Sequence, residues 1–156
     1  MMCMACEGPD CNFKPMSMKR RAVGPEDVLV DMQFCGVCHS DLHFCRGDLV
    51  KMAGMMPIST AYPMVPGHEL AGIVIGVGEN VTKFKIGDQI GIGCFVDSCL
   101  TCKNCLAGKD NYCMKAVLTY SGKDAGRGRS GCGACIRTCV TNVLSHALHY
   151  IAVNTH

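Results

Sequence analysis

The chain has 156 residues, a length suited to one domain with a single core. Hydrophobic residues make up 49%, charged residues 18%, and the formal net charge is +2, which excludes a disordered chain and argues against nucleic acid or a membrane surface as the partner. With no apolar run of bilayer length and no secretory pattern at the start, the expectation is a cytoplasmic protein whose 14 cysteines hold metal or stay reduced.

Residues 1–12 carry Cys3, Cys6 and Cys11 among methionines, follow neither a helical nor a strand period, and read as a loose arm. From Phe13 onward the pattern is β-like. In "DVLVDMQFCGV" the residues Val28, Val30, Met32 and Phe34 fall on one face, against Asp27, Leu29, Asp31 and Gln33 on the other. Cys35 reads as a small buried hydrophobe beside Gly36. Between Asp48 and Pro66 a Met- and Pro-rich stretch breaks regular structure and reads as a surface excursion with room for a short helix. The pieces "LAGIVIGVG" and "DQIGIGCFV" are short, β-branched strands separated by turn residues, which favours a barrel over alternating strands and helices.

Residues 94–115 hold the strongest motif, Cys99-x2-Cys102-x2-Cys105-x7-Cys113. Four thiolates at this spacing can close a tetrahedron around one zinc ion and leave no position open to water, as a structural site requires. Lys103, Lys109 and Lys115 lie close enough in sequence to offset the negative charge of such a centre. Free loop thiols and an iron–sulfur cluster are the alternatives.

A second constellation joins Cys38 to His68, thirty residues on, with Glu69 beside it. A catalytic zinc keeps three protein ligands and one open position, where an alcohol or carbonyl oxygen can bind. Ser40 places a hydroxyl able to pass a proton next to Cys38, and Asp41 a carboxylate able to orient a ligating imidazole. The plainer reading of Ser40 and Asp41 is a helix N-cap and a first-turn acid.

After Asp124 the composition changes, and residues 125–156 contain no acidic residue and no lysine. Gly126-x-Gly128-x-x-Gly131 matches a dinucleotide-binding string, but no strand pattern precedes it and no Asp or Glu follows, so it is taken as a chance match. Cys132, Cys135, Cys139, His146 and His149 either hold a further metal or are placed at random in a Cys-rich chain, and "CVTNVLSHALHYIAV" suits a short helix. This segment is expected to be divergent, the signature of a truncated or frame-shifted product.

Taken together, "CGVCHSDLH", "YPMVPGHELAGIVIGVGENVTKFKIGDQIGIGCFVDSC" and "CLTCKNCLAGKDNYC" resemble the zinc-dependent medium-chain alcohol dehydrogenases, in their cinnamyl-alcohol-dehydrogenase-like branch. The likeness covers about Phe13 to Gly122, so 13–124 is expected to form one domain. The resemblance implies a mainly β, GroES-like barrel with a zinc-binding lobe, and interconversion of alcohols and aldehydes with NAD(P). It makes Cys38 and His68 ligands of a catalytic zinc, with Glu69 as an alternate or supporting one. Ser40 becomes the proton-relay hydroxyl, His39 the neighbour of the coenzyme pyrophosphate, and Asp41 the support of the ligands. Cys99, Cys102, Cys105 and Cys113 become the structural zinc site. The family's third catalytic ligand, a downstream cysteine, and its Rossmann domain are not evident. The expectation is therefore a catalytic-domain portion, inactive alone and compatible with a homodimer. The competing expectation is a zinc-binding module without catalysis that binds a partner.

Overall fold

The computed structural model describes residues 2–17, 22–48, 60–121, 138–142 and 148–150. In chain order the elements are β1 (Met2–Cys6), β2 (Phe13–Ser17), β3 (Asp27–Cys35), α1 (His39–Arg46), β4 (Leu70–Val77), β5 (Gln89–Ile92), β6 (Phe95–Asp97), α2 (Lys103–Leu106), a 3-10 turn (Asp110–Tyr112), β7 (Val117–Leu118), β8 (Thr138–Asn142) and β9 (Leu148–Tyr150). The central sheet has the order β8-β3-β4-β5-β9, and β1-β2 and β6-β7 form two smaller sheets. All strand pairs among the described residues are antiparallel. The mainly β architecture is thus as expected, and the described residues contain no parallel Rossmann sheet.

Alternation builds the core. Val28, Val30, Val74, Ile90 and Ile92 are fully or almost fully buried in one cluster closed by Leu70, Phe84 and Val96. Burying each such valine contributes about 1.5–3 kcal/mol. The alternation fails at Phe34, which is 76% exposed rather than on the core face. The cause is a register shift: Met32 pairs with Gly72 and Phe34 with Ala71, so Gln33 is an extra residue that turns the rest of β3 over. Cys35, the last residue of β3, is exposed, contrary to its reading as a buried hydrophobe. The same strands approach closely at Gly72, where a Cβ would lie 2.4 Å from the Asp31 carbonyl oxygen.

The opening residues are not a loose arm. β1 pairs along its length with β2, from Met2 opposite Ser17 to Cys6 opposite Phe13. Cys3 and Ala5 pack on Val65, while Cys6 exchanges backbone hydrogen bonds of 2.9 and 2.8 Å with Met64. Cysteine serves as a small hydrophobe at these positions, which a count of aliphatic residues overlooks.

The end of the chain also departs from expectation. "CVTNVLSHALHYIAV" was suited to a helix, yet its described parts are strands that flank the central sheet, β8 beside β3 and β9 beside β5. The Gly126 to Gly131 string, Cys132, Cys135 and His146 lie outside the described residues, as does most of the Met- and Pro-rich stretch. Among the described residues no helix is long and apolar enough to cross a membrane.

Candidate metal centres

The lobe is built from β6, α2, the 3-10 turn and β7. Cys99 and Cys102 precede α2, Cys105 lies inside it, and Cys113 ends the 3-10 turn. All four sulfurs lie within 4.8 Å of one another. Cys99 and Cys105 are 3.9 Å apart and Cys102 and Cys105 3.5 Å apart. Sulfurs at about 2.3 Å from a tetrahedral zinc would be about 3.8 Å apart, so the residues present fit that ion. The surroundings are tuned for thiolates. Backbone N–H groups of Cys99 and Lys115 each donate to Cys113 Sγ at 3.4 Å, and the Thr101 hydroxyl donates to Cys99 Sγ at 3.7 Å. Backbone N–H groups of Thr101 and Cys102 bring the Cys99 thiol down to about 6. At Cys105 contact with the Ser98 hydroxyl pulls downward, but loss of water and the neighbouring Cys102 thiol outweigh it and hold the group up at about 12. Ser98 in turn donates to buried Asp110 at 2.8 Å, fixing the floor of the lobe.

The second centre lies where α1 meets the segment leading into β4. Helix α1 begins without a side-chain cap: Cys38 is the N-cap, in extended backbone, and Ser40 is the second helical residue rather than the cap. Asp41 sits in the first turn and is buried with Phe44 and Cys45 on one face. Gly47, at φ 63°, closes the helix with its N–H bonded to Phe44 and His43 carbonyls.

Cys38 Sγ, a ring nitrogen of His68 and a carboxylate oxygen of Glu69 lie within 4.8 Å of one another. Ser40 Oγ stands between the first two, 3.0 Å from Cys38 Sγ and 3.3 Å from His68 Nε2. Asp41 Oδ1 is 3.1 Å from His68 Nδ1 and accepts the Gly67 N–H at 2.8 Å, so it holds the imidazole with Nε2 turned to the cluster. Glu69 Oε1 is 3.9 Å from His68 Nε2. The mixed sulfur, nitrogen and oxygen donors suit zinc and leave one side open, on a cleft of about 540 Å³ lined by Cys35, Val37, Leu42 and Pro66. His39 is exposed and contacts the ring of His43 rather than the cluster.

Two contributors had no signal in the sequence. Tyr120, eighty residues from Ser40, directs its hydroxyl to Ser40 Oγ at 3.4 Å and stacks on His68, with centroids 4.4 Å apart and planes 10° apart. Burial pushes its phenol up, so it remains a donor. Gly36 is the other: its N–H donates to the Glu69 carbonyl at 2.7 Å, and a Cβ there would lie 2.3 Å from Glu69 Oε2. A methyl at this position would push the Glu69 carboxylate aside.

Comparison with known proteins agrees with this architecture. The family model for the alcohol dehydrogenase GroES-like domain matches residues 24–147, past Asp124, where the family likeness was expected to stop. A probable cinnamyl alcohol dehydrogenase 3 from Oryza sativa subsp. japonica is 41% identical over 121 residues, covering 78% of this chain and 31% of the relative. An NADP-dependent alcohol dehydrogenase C 1 from Mycolicibacterium smegmatis is 54% identical over 110 residues, 69% of this chain and 29% of the relative. The crystal structure of a cinnamyl alcohol dehydrogenase from Helicobacter pylori complexed with NADP(H) superposes with TM-score 0.82 at 37% identity, covering 98% of this chain and 42% of that one. A cinnamyl alcohol dehydrogenase from Sorghum bicolor gives 0.77 at 38% identity, covering 91% and 38%. The chain spans about a third of the length of the curated relatives it matches. It belongs to the zinc-type medium-chain alcohol dehydrogenase family, in the cinnamyl-alcohol-dehydrogenase-like branch, and carries the GroES-like domain of that family.

Proposed function

We infer that the chain supplies the metal-binding, alcohol-activating part of an NAD(P)-dependent alcohol–aldehyde oxidoreductase. The observation that carries this reading is the position of Ser40 Oγ, in reach of Cys38 Sγ, His68 Nε2 and the Tyr120 hydroxyl at once. Cys38, His68 and Glu69 would hold a zinc ion, whose Lewis acidity would polarise an alcohol or carbonyl oxygen. The other roles belong to the chain. Ser40 takes the proton that leaves the alcohol and passes it on, with Tyr120 as the neighbouring hydroxyl. Asp41 fixes the His68 tautomer, and the stacked Tyr120 ring fixes its plane. Phe13, Leu42 and Pro66 give the cleft apolar walls suited to the carbon skeleton of the substrate. We assign His39, exposed at the start of α1, to the coenzyme side, and relatives named for NADP support a nicotinamide as the hydride acceptor.

Cobalt(II) exchanged into the Cys38 centre tests the reading independently of turnover. A primary alcohol should shift its thiolate-to-cobalt absorption in the wild type, and Cys38→Ser should abolish the band. A spectrum indifferent to alcohols would sink the proposal. A second reading, a zinc-stabilised module without catalysis, draws on the lobe, whose four thiols are complete by themselves and whose surface exposes Leu106, Tyr112 and Met114. One zinc per chain, with no cobalt response, would favour it.

A further inference from the structure

The cysteines that open the chain belong to neither zinc-type centre, and one of them meets two further sulfurs in the core. Cys6 ends β1 directly opposite Met64, and the two backbone hydrogen bonds between them send both side chains to the same side. Cys45 reaches the same point from α1, its Sγ donating to Met64 Sδ at 3.3 Å. The Cys45 and Cys6 thiols are also hydrogen-bonded to each other. Two thiols and a thioether, none more than 1% exposed, thus gather in one cluster. Cys11 packs against that cluster and is partly exposed, which gives a path from solvent.

Aliphatic side chains would fill this volume equally well, but they could not ligate. Thiolate and thioether are soft donors that select Cu(I) over hard cations, whereas structural zinc takes four ligands from Cys and His. With metal–sulfur bonds of about 2.3 Å, a trigonal ion sets its sulfurs about 4.0 Å apart. The Cys45–Met64 pair therefore needs to widen by less than about an ångström, which the three rotatable bonds of methionine permit.

We propose that Cys6, Cys45 and Met64 form an all-sulfur site for one Cu(I) ion, entered past Cys11. The two thiol protons leave to solvent as the ion binds. The ion would tie β1 and the segment before β4 to α1, the helix that carries Ser40 and Asp41.

The test is an anaerobic titration of the zinc-loaded, desalted chain with Cu(I) delivered from a chromogenic chelator, with zinc quantified before and after. The first equivalent should leave the chelator without releasing zinc, and X-ray absorption should show sulfur ligands alone. Cys45→Ala should abolish this uptake. Met64→Leu conserves volume and keeps the fold, so it holds the test decisive if Cys45→Ala lowers stability, and it should weaken uptake at least about tenfold. Cys3→Ala removes a buried thiol of the same strand from a different cluster and should leave uptake unchanged. Uptake only with release of zinc, unchanged affinity in Met64→Leu, or equal weakening in Cys3→Ala would each overturn the proposal.

Discussion

The two cysteine-bearing centres differ in closure. In the lobe, four thiols from one continuous stretch of fifteen positions surround a point, and backbone N–H groups finish the shell. In the Cys38 centre the donors come from an N-cap and from the lead-in to β4, thirty residues apart, and their supports come from α1 and from Tyr120. A closed shell of local donors can fold its own loop and do nothing else, whereas an open shell of distant donors depends on the whole domain for its geometry and keeps a face for a substrate. The difference teaches that a motif's spacing reports what it stabilises, and its long-range contacts report what it can do.

Breaking the closed shell should have the largest effect. Cys102→Ser leaves three thiolates, and structural zinc sites in small domains hold about 10–16 kcal/mol of apparent binding energy that doubles as folding energy. The variant should lose one zinc per chain, read by metal quantification, and speed amide exchange across residues 94–115. Next comes a contrast inside the lobe. With metal removed by chelation, Cys99 at about 6 is mostly thiolate at pH 7, while Cys105 at about 12 stays a thiol. Alkylation followed by mass spectrometry should label Cys99 far ahead of Cys105. Because the Cys99 value is depressed, its advantage should fade as pH drops through about 6 and the sulfur protonates. Equal labelling at pH 7 would deny the lobe its thiolate-selecting backbone.

Smaller effects sharpen the open site. Tyr120→Ala removes the ring packed between Phe44 and His68 and should cost about 3–5 kcal/mol in denaturant unfolding, as for other buried aromatics. It should also loosen metal at the Cys38 centre and leave the lobe filled. Asp41→Asn should weaken metal there by about 10- to 100-fold in a chelator competition, again sparing the lobe. Gly36→Ala, which drives a methyl into Glu69, should give a smaller loss at the same centre. Equal effects on both centres from any of these three would erase the distinction between them.

What could be read from the sequence follows the same division. The gathering of Cys99, Cys102, Cys105 and Cys113 was legible, because four cysteines in one short stretch need no tertiary knowledge. Cys38, His68 and Asp41 were named through the resemblance, and the structure brings their side chains into one cluster. Tyr120 was not, since nothing local marks a tyrosine that will meet a serine eighty residues away. Phe34 was misplaced because a bulge reverses alternation without leaving a trace in the pattern, and Cys35 because residue type alone does not say whether a strand end is covered. The first strand was missed because cysteine and alanine do the work of larger aliphatics there. His39 was assigned alone, and its contact with His43 emerged only from the helix that brings the two rings together.

The most direct test of the two-centre account is the zinc content of the purified, desalted chain and of Cys38→Ser. The account predicts two equivalents per chain in the first and one in the second, with the lobe still ordered. A single equivalent in the wild type that Cys38→Ser leaves unchanged would contradict it.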